Sequence, residues 1–145
     1  MDLPRLTAVT LGVRDVRSSA AFYDRLGFER KMRETGDEIA FFDAGCLLLA
    51  VWDWSKLAAD AALPEELTPQ SFRSSTLAWN RNTPAEVDEG YRHAIKAGAT
   101  PLRPPEPTDY GGYRGYFADP DGHVWEIVTA PGLTLTKDGR LRFPD

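Results

Sequence analysis

Tyr113-Arg114-Gly115-Tyr116-Phe117-Ala118-Asp119-Pro120-Asp121-Gly122-His123-Val124-Trp125-Glu126-Ile127-Val128 is the stretch whose reading decides the fold. It predicts a β-hairpin. Two runs rich in aromatic and β-branched residues flank Asp119-Pro120-Asp121-Gly122. Proline presets φ at the second turn position, the aspartates bond nearby backbone, and Gly122 can take the left-handed conformation that ends such a turn. A turn of these four residues sets Ala118 opposite His123, Phe117 opposite Val124, Tyr116 opposite Trp125, and Gly115 opposite Glu126. Strand alternation then puts Val124, Glu126 and Val128 on one face, with Trp125 and Ile127 on the other. The expected result is one carboxylate among apolar neighbours, with Gly115 leaving room beside it. A bulge at Gly122 would shift this pairing by one residue.

Working outward, a β-α-β-β-β pattern occurs twice. In the first half, Ala8 to Val13 alternates an apolar face (Val9, Leu11, Val13) with a small-residue face (Ala8, Thr10, Gly12). Asp15 or Ser18 caps a helix over about residues 17–26, which Gly27 stops. Strands follow near Phe28–Arg33, Glu38–Asp43 and, after the turn at Ala44-Gly45, Cys46–Trp52. In the second half, Ser75–Asn80 is a strand and Thr83-Pro84-Ala85-Glu86 opens a helix that Gly98 ends. Next come a strand near Thr100–Arg103, a Pro- and Gly-rich loop over 104–112, and the hairpin. Module one is thus expected at 6–52 and module two at 75–130, within one domain of residues 1–145. The connecting segment 53–74 is alanine-rich from Trp54 to Ala62, which suits a short helix before Pro64 and Pro69. The tail 131–145 holds Lys137-Asp138-Gly139-Arg140 between Leu135 and Leu141, the pattern of a small hairpin.

The doubled pattern, the aromatic-Asp-Pro-Asp-Gly hairpin ending on Glu126, and Thr10–Asp15 followed by Ala20-Ala21-Phe22-Tyr23 resemble the vicinal oxygen chelate superfamily. That group includes glyoxalase I, bleomycin-resistance proteins, fosfomycin-resistance enzymes and extradiol dioxygenases. The resemblance covers about residues 6–130. It implies an α+β fold of two tandem βαβββ modules forming a cupped mixed sheet, with helices on the outer face. In metal-dependent members of the family, first strands supply His, Gln or Glu and last strands supply Glu. Carried onto this sequence, those positions are Ala8, Leu49, Thr76 and Glu126. Ala8 and Leu49 have no donor atom and Thr76 is a poor ligand, whereas a catalytic site normally offers about three protein ligands. Neither His93 nor His123 is placed to repair this, so no metal and no other cofactor is expected.

Composition narrows the function. The chain has 145 residues, 42% of them hydrophobic and 27% charged, in the range of ordinary soluble globular proteins. A net charge of −5 argues against nucleic acid as a partner. No apolar run approaches a bilayer span, and the amino terminus lacks the features of a signal peptide. A single cysteine, Cys46, excludes an intrachain disulfide and fits a cytoplasmic protein.

The expectation is therefore a small organic ligand bound in a concave, metal-free cavity around Glu126. Thr10, Leu49, Thr76, Asn80, Tyr113, Tyr116 and Phe117 are the other candidate ligand-binding residues. Glu126 is the candidate catalytic base, or an acceptor for a cationic ligand. Three functions compete. One is a bleomycin-resistance-like binding module, and another is a glyoxalase-like lyase or isomerase that uses Glu126 as base or metal ligand. In the third, the cup is simply core. The aromatic segments Trp52–Trp54 and Tyr110–Tyr116 also predict a homodimer.

Overall fold

Two caps start the two long helices, and both are local hydrogen bonds written into the sequence. The computed structural model describes residues 3–64 and 72–143. Asp15 caps α1 (Val16–Leu26) by accepting from the backbone N–H of Arg17 at 3.0 Å and of Ser18 at 3.4 Å. Thr83 caps α3 (Pro84–Ala97) by accepting from Glu86 N–H at 3.2 Å, with Pro84 at the first helical position. The Glu86 carboxylate reaches back to Asn82 N–H at 2.9 Å, a variant of the capping box. Gly27 (φ 120°) and Gly98 (φ 114°) end the helices.

The chain divides into two compact units, Met1–Gln70 and Ser71–Asp145, and each carries one four-stranded mixed sheet. The fold is α+β, with the βαβββ pattern repeated in tandem. In the first unit the strands are β1 (Ala8–Val13), β2 (Glu29–Lys31), β3 (Ile39–Asp43) and β4 (Leu48–Asp53), in spatial order β1-β4-β3-β2. In the second they are β5 (Thr76–Asn80), β6 (Thr100–Pro107), β7 (Tyr113–Ala118) and β8 (Val124–Thr129), in order β5-β8-β7-β6. The first strand of each unit runs parallel to the last, and the remaining pairs are antiparallel.

Each sheet buries one face under its helix. In the first unit Leu11, Val13, Phe42, Leu49 and Val51 share the buried face, where Tyr23 of α1 packs on Phe42 with ring centroids 6.1 Å apart. In the second, Phe117, Trp125 and Ile127 lie under α3, which approaches closely at Gly90. A Cβ there would sit 2.3 Å from Ile127 Cδ1 and 3.2 Å from the Trp79 ring. Burying these side chains contributes about 1.5–3 kcal/mol each.

The decisive hairpin forms one residue out of the expected register. Asp119 N–H donates to His123 O at 2.9 Å, and Gly122 N–H to Asp119 O at 3.0 Å. Gly122 adopts φ +84°, so the connection is a type I turn followed by a left-handed bulge residue. Ala118 therefore faces Val124, Phe117 faces Trp125, Tyr116 faces Glu126 and Gly115 faces Ile127. Gly115 is therefore not the neighbour that leaves room beside Glu126, contrary to the expectation from sequence. Instead a Cβ there would meet Pro105 Cγ at 3.0 Å and Arg103 O at 3.1 Å, so the glycine admits β6.

Other boundaries moved for identifiable reasons. The strand expected over Phe28–Arg33 is cut to Glu29–Lys31, because Met32 turns left-handed (φ 48°) ahead of a 3-10 turn at Arg33–Thr35. β6 runs on through the prolines expected in a loop, since an edge strand tolerates missing N–H groups and its register shifts twice. The short helix of the connecting segment forms as α2 (Trp54–Asp60), capped by Asp53. The tail makes the small hairpin β9 (Thr134–Leu135) and β10 (Leu141–Arg142).

Candidate functional site

On the helix-free face of the second sheet, β7 and β8 bring a carboxylate and a phenol together. Tyr116 and Glu126 are cross-strand partners, and Tyr116 Oη donates to Glu126 Oε2 at 3.1 Å. Oε1 accepts no hydrogen bond from the described residues. Burial raises the Tyr116 pKa above its usual 10.0, and the charge and hydrogen bond of Glu126 raise it further. Arg114, on the same face two residues along β7, opposes that shift. The phenol is therefore held protonated as a donor to Glu126 near neutrality.

Arg114 extends the polar row toward the sheet edge. Its guanidinium lies 5.7 Å from the Tyr116 ring centroid and its Nη1 is 3.3 Å from Glu106 Oε1. Arg103 reaches the same Glu106 oxygen with Nε at 2.5 Å. Arg103 first and Arg114 second hold the Glu106 pKa below its ordinary value. Beside Glu126, β5 offers only Ala78 as parallel partner, flanked on the same face by Thr76 and Asn80. Small side chains there leave the carboxylate half-exposed.

The face of the first sheet away from α1 is different in kind. Ala8, Thr10 and Gly12 share it with Leu48, Ala50 and Trp52, and α2 packs on it near Gly12. A Cβ on Gly12 would lie 3.4 Å from Leu57 Cδ2 and 3.5 Å from the Trp54 ring. The Thr10 hydroxyl and the Trp52 indole N–H interrupt this carbon surface, and Asp43, Glu29 and Lys31 continue the same face toward the sheet edge.

Thr76, Asn80, Tyr116 and Glu126 share one face, although the expected register set Tyr116 opposite Trp125 on the other, while Thr10 lies in the other unit on the sheet face away from α1. Three expected residues fall elsewhere. Leu49 and Phe117 are buried on the helix side, at 2% and 0% exposure. Tyr113 also alternates to that side and donates to Asp88 Oδ1 of α3 at 2.8 Å. The cause is hairpin length. The first unit's loop closes with Ala44 N–H on Leu47 O, one residue tighter than the second unit's. Counting from Gly45 and Gly122 therefore misplaces the match by one. Ala50, beside Thr10 and opposite Phe41, is the counterpart of Glu126, which lies beside Ala78 and opposite Tyr116.

Arg114 and Glu106 complete the polar row and were not among the expected site residues. Arg114 stands two residues from Tyr116, so alternation on the corrected register identifies it. Glu106 is reached only through the bulged β6 pairing. Glu126 forms no ion pair with Arg81 or Arg114. Arg81 lies over the Trp79 ring and 3.8 Å from Glu86, and Arg114 is engaged by Glu106.

These residues do not suit a divalent metal. Of the four family ligand positions, corrected to Ala8, Ala50, Thr76 and Glu126, two offer only methyl groups. Glu126 has one oxygen committed to Tyr116, and no cluster of three or more His, Cys, Asp or Glu side chains occurs among the described residues. His93 is exposed on α3, and His123 is engaged by Arg73 Nη1 at 2.9 Å beside the turn.

A tandem of βαβββ modules with a glutamate on the open face of the last strand defines a vicinal-oxygen-chelate type of protein. The family model of the Glyoxalase/Bleomycin resistance protein/Dioxygenase superfamily matches residues 5–127, and the chain belongs to that superfamily. It is 34% identical to a glyoxalase-related enzyme from Fulvimarina pelagi, with a TM-score of 0.86 over 99% of this chain and 100% of that one. A glyoxalase/bleomycin resistance protein/dioxygenase family enzyme from Burkholderia phytofirmans PsJN is 25% identical, with a TM-score of 0.75 over 86% and 98%. A lactoylglutathione lyase from Agrobacterium tumefaciens shares the fold at 21% identity, with a TM-score of 0.65 over 88% and 94%. No curated protein matches the chain. No helix among the described residues is long and apolar enough to cross a membrane.

Proposed function

We propose that this protein binds a small organic molecule on the helix-free face of its second module, with Glu126 as the central polar contact and no metal in between. The observation that carries the reading is the Tyr116–Glu126 pair. One carboxylate oxygen accepts from the phenol and the other accepts no hydrogen bond from the described residues, the arrangement expected of a preorganised acceptor. Thr76 and Asn80 add neutral polar contacts on the same face. The same pair supports a second reading, a lyase or isomerase of glyoxalase-like type in which Glu126 takes a proton from the ligand and Tyr116 steadies the charge. A cytoplasmic homodimer fits the lone exposed Cys46 and the exposed Leu102, Tyr110 and Phe143. Light scattering at the 16.1 kDa monomer mass would count against the dimer.

The test is a small-molecule fragment screen read on backbone amide resonances, run in parallel on wild type and Glu126→Gln. Ligands are expected to move the amides of Tyr116, Glu126 and Val128. In the variant, those that donate a hydrogen bond to the carboxylate should bind about ten- to a hundredfold more weakly, the worth of a charge-assisted hydrogen bond. If no fragment moves these amides, or binding is unchanged by Glu126→Gln, the reading fails.

A further inference from the structure

The polar row across β6, β7 and β8 has an unusual charge arrangement. Arg103 and Arg114 both bond the single carboxylate of Glu106, so that cluster retains one positive charge. Glu126 supplies one negative charge at the Tyr116 hydroxyl. Arg114 and Glu126 are diagonal neighbours on one sheet face, since Arg114 is opposite Val128 and Tyr116 is opposite Glu126. Long side chains at such positions are within reach of one another, yet these two do not pair. Each is anchored separately, Arg114 by Glu106 and the Tyr116 ring, Glu126 by the Tyr116 hydroxyl. The surface therefore presents a positive and a negative pole at diagonal positions of one sheet face. Each pole has unused hydrogen-bonding capacity, Oε1 on the carboxylate and the further N–H groups of a guanidinium.

Two poles fixed this way are complementary to a ligand with the opposite pair of charges. We infer that the ligand of this face is a zwitterion of the α-amino-acid type carrying an aromatic body. Its ammonium sits on Glu126 Oε1 and its carboxylate on Arg114. The inference deepens the proposed function and rests on it. Preorganisation favours such a ligand because neither pole has to break a mutual ion pair to accept it. The aromatic body follows from Tyr110, which stands half-exposed on the tight loop between β6 and β7. Thr108 closes that loop, its N–H bonding Gly112 O at 3.0 Å and its Oγ1 accepting from Gly112 N–H at 2.8 Å. The Tyr116 ring, 5.7 Å from the Arg114 guanidinium and bonded through its hydroxyl to Glu126, adds an aromatic surface that touches both poles.

The experiment uses three probes of one shape: L-phenylalanine with both charges, 2-phenylethylamine with only the ammonium, and 3-phenylpropionate with only the carboxylate. Each is titrated into the full chain and followed on the amides of residues 114–116 and 126–128. Phenylalanine is expected to bind at least about tenfold more tightly than either single-charge probe, one charge-assisted contact being worth that much. Glu126→Gln should reduce phenylalanine to the level of phenylpropionate. Arg114→Gln should reduce it to the level of phenylethylamine, and Arg114→Lys, which keeps the charge, should restore part of the loss. Equal binding of the three probes, or a phenylalanine advantage that survives both neutral substitutions, would overturn the zwitterion assignment while leaving a ligand-binding face. If none of the three moves these amides at millimolar concentration, the assignment is also refuted. The wider reading then falls only if the fragment screen is silent as well.

Discussion

Gly122→Ala probes the turn that places Glu126 on the open face. Gly122 has φ +84°, and holding an L-residue in the left-handed region costs about 1–2 kcal/mol. The new Cβ would also lie 3.3 Å from Arg73 Nη2. That nitrogen donates to the Asp121 carbonyl, while Nη1 of the same guanidinium holds the His123 ring at 2.9 Å. Displacing Arg73 by a few tenths of an ångström strains both contacts, for about a further 0.5–1.5 kcal/mol, the worth of one ordinary hydrogen bond. Gly45→Ala is the matched control, because Gly45 has φ +90° and no atom within 4 Å of its added Cβ. Both variants lose the backbone term, and only Gly122→Ala loses the Arg73 term. At roughly 3 °C per kcal/mol for a chain of this size, Gly122→Ala should melt about 5–10 °C below wild type and about 2–5 °C below Gly45→Ala. Calorimetry or circular dichroism reads the difference. Equal melting temperatures for the two variants would refute the claim that Arg73 clamps the turn.

Two further outcomes are expected. Gly115→Ala should destabilise by about 1–3 kcal/mol through overpacking, since its Cβ would lie 3.0–3.1 Å from Pro105 and the Arg103 carbonyl; faster hydrogen exchange confined to the β6–β7 pairing would locate the damage, and a variant as stable as wild type would contradict it. Alkali should erode stability in a way that Tyr116→Phe relieves. The Tyr116 pKa is raised by burial first and then by Glu126, so above pH 10 the unfolded phenol ionises before the folded one and binds fewer protons. Its contribution is therefore complete below about pH 10 and lost as pH rises through the folded pKa; urea midpoints at pH 9 and 11 should show the wild-type advantage over Tyr116→Phe shrinking, and a constant advantage would oppose this.

Legibility in the sequence followed the range of the interactions concerned. Asp15, Thr83, Gly27 and Gly98 act within one helical turn, so the helix limits could be read along the chain, although choosing Asp15 over Ser18 needed the N–H groups themselves. The proline-rich 104–107 read as loop because local preference disfavours proline in strands. Its place at the edge of a sheet, where missing N–H groups cost little, is not a local property.

By itself the sequence determined the two βαβββ repeats, the turn at Asp119–Gly122 and the alternation that puts Glu126 and Val124 on one face. All of these depend on residues a few positions apart. Tertiary structure alone decided which side chains meet Glu126. A left-handed Gly122 adds one residue to the second hairpin, and a shift of one residue reverses every side chain of the opposing strand relative to the sheet. That reversal took Phe117 under the helix, brought Tyr116 to the carboxylate and set Arg114 on the same face. Glu106 joined through the irregular pairing of an edge strand. Pairing between strands is a long-range contest among registers that differ little in local preference, and it is settled by the burial of Phe117, Trp125 and Ile127 against α3.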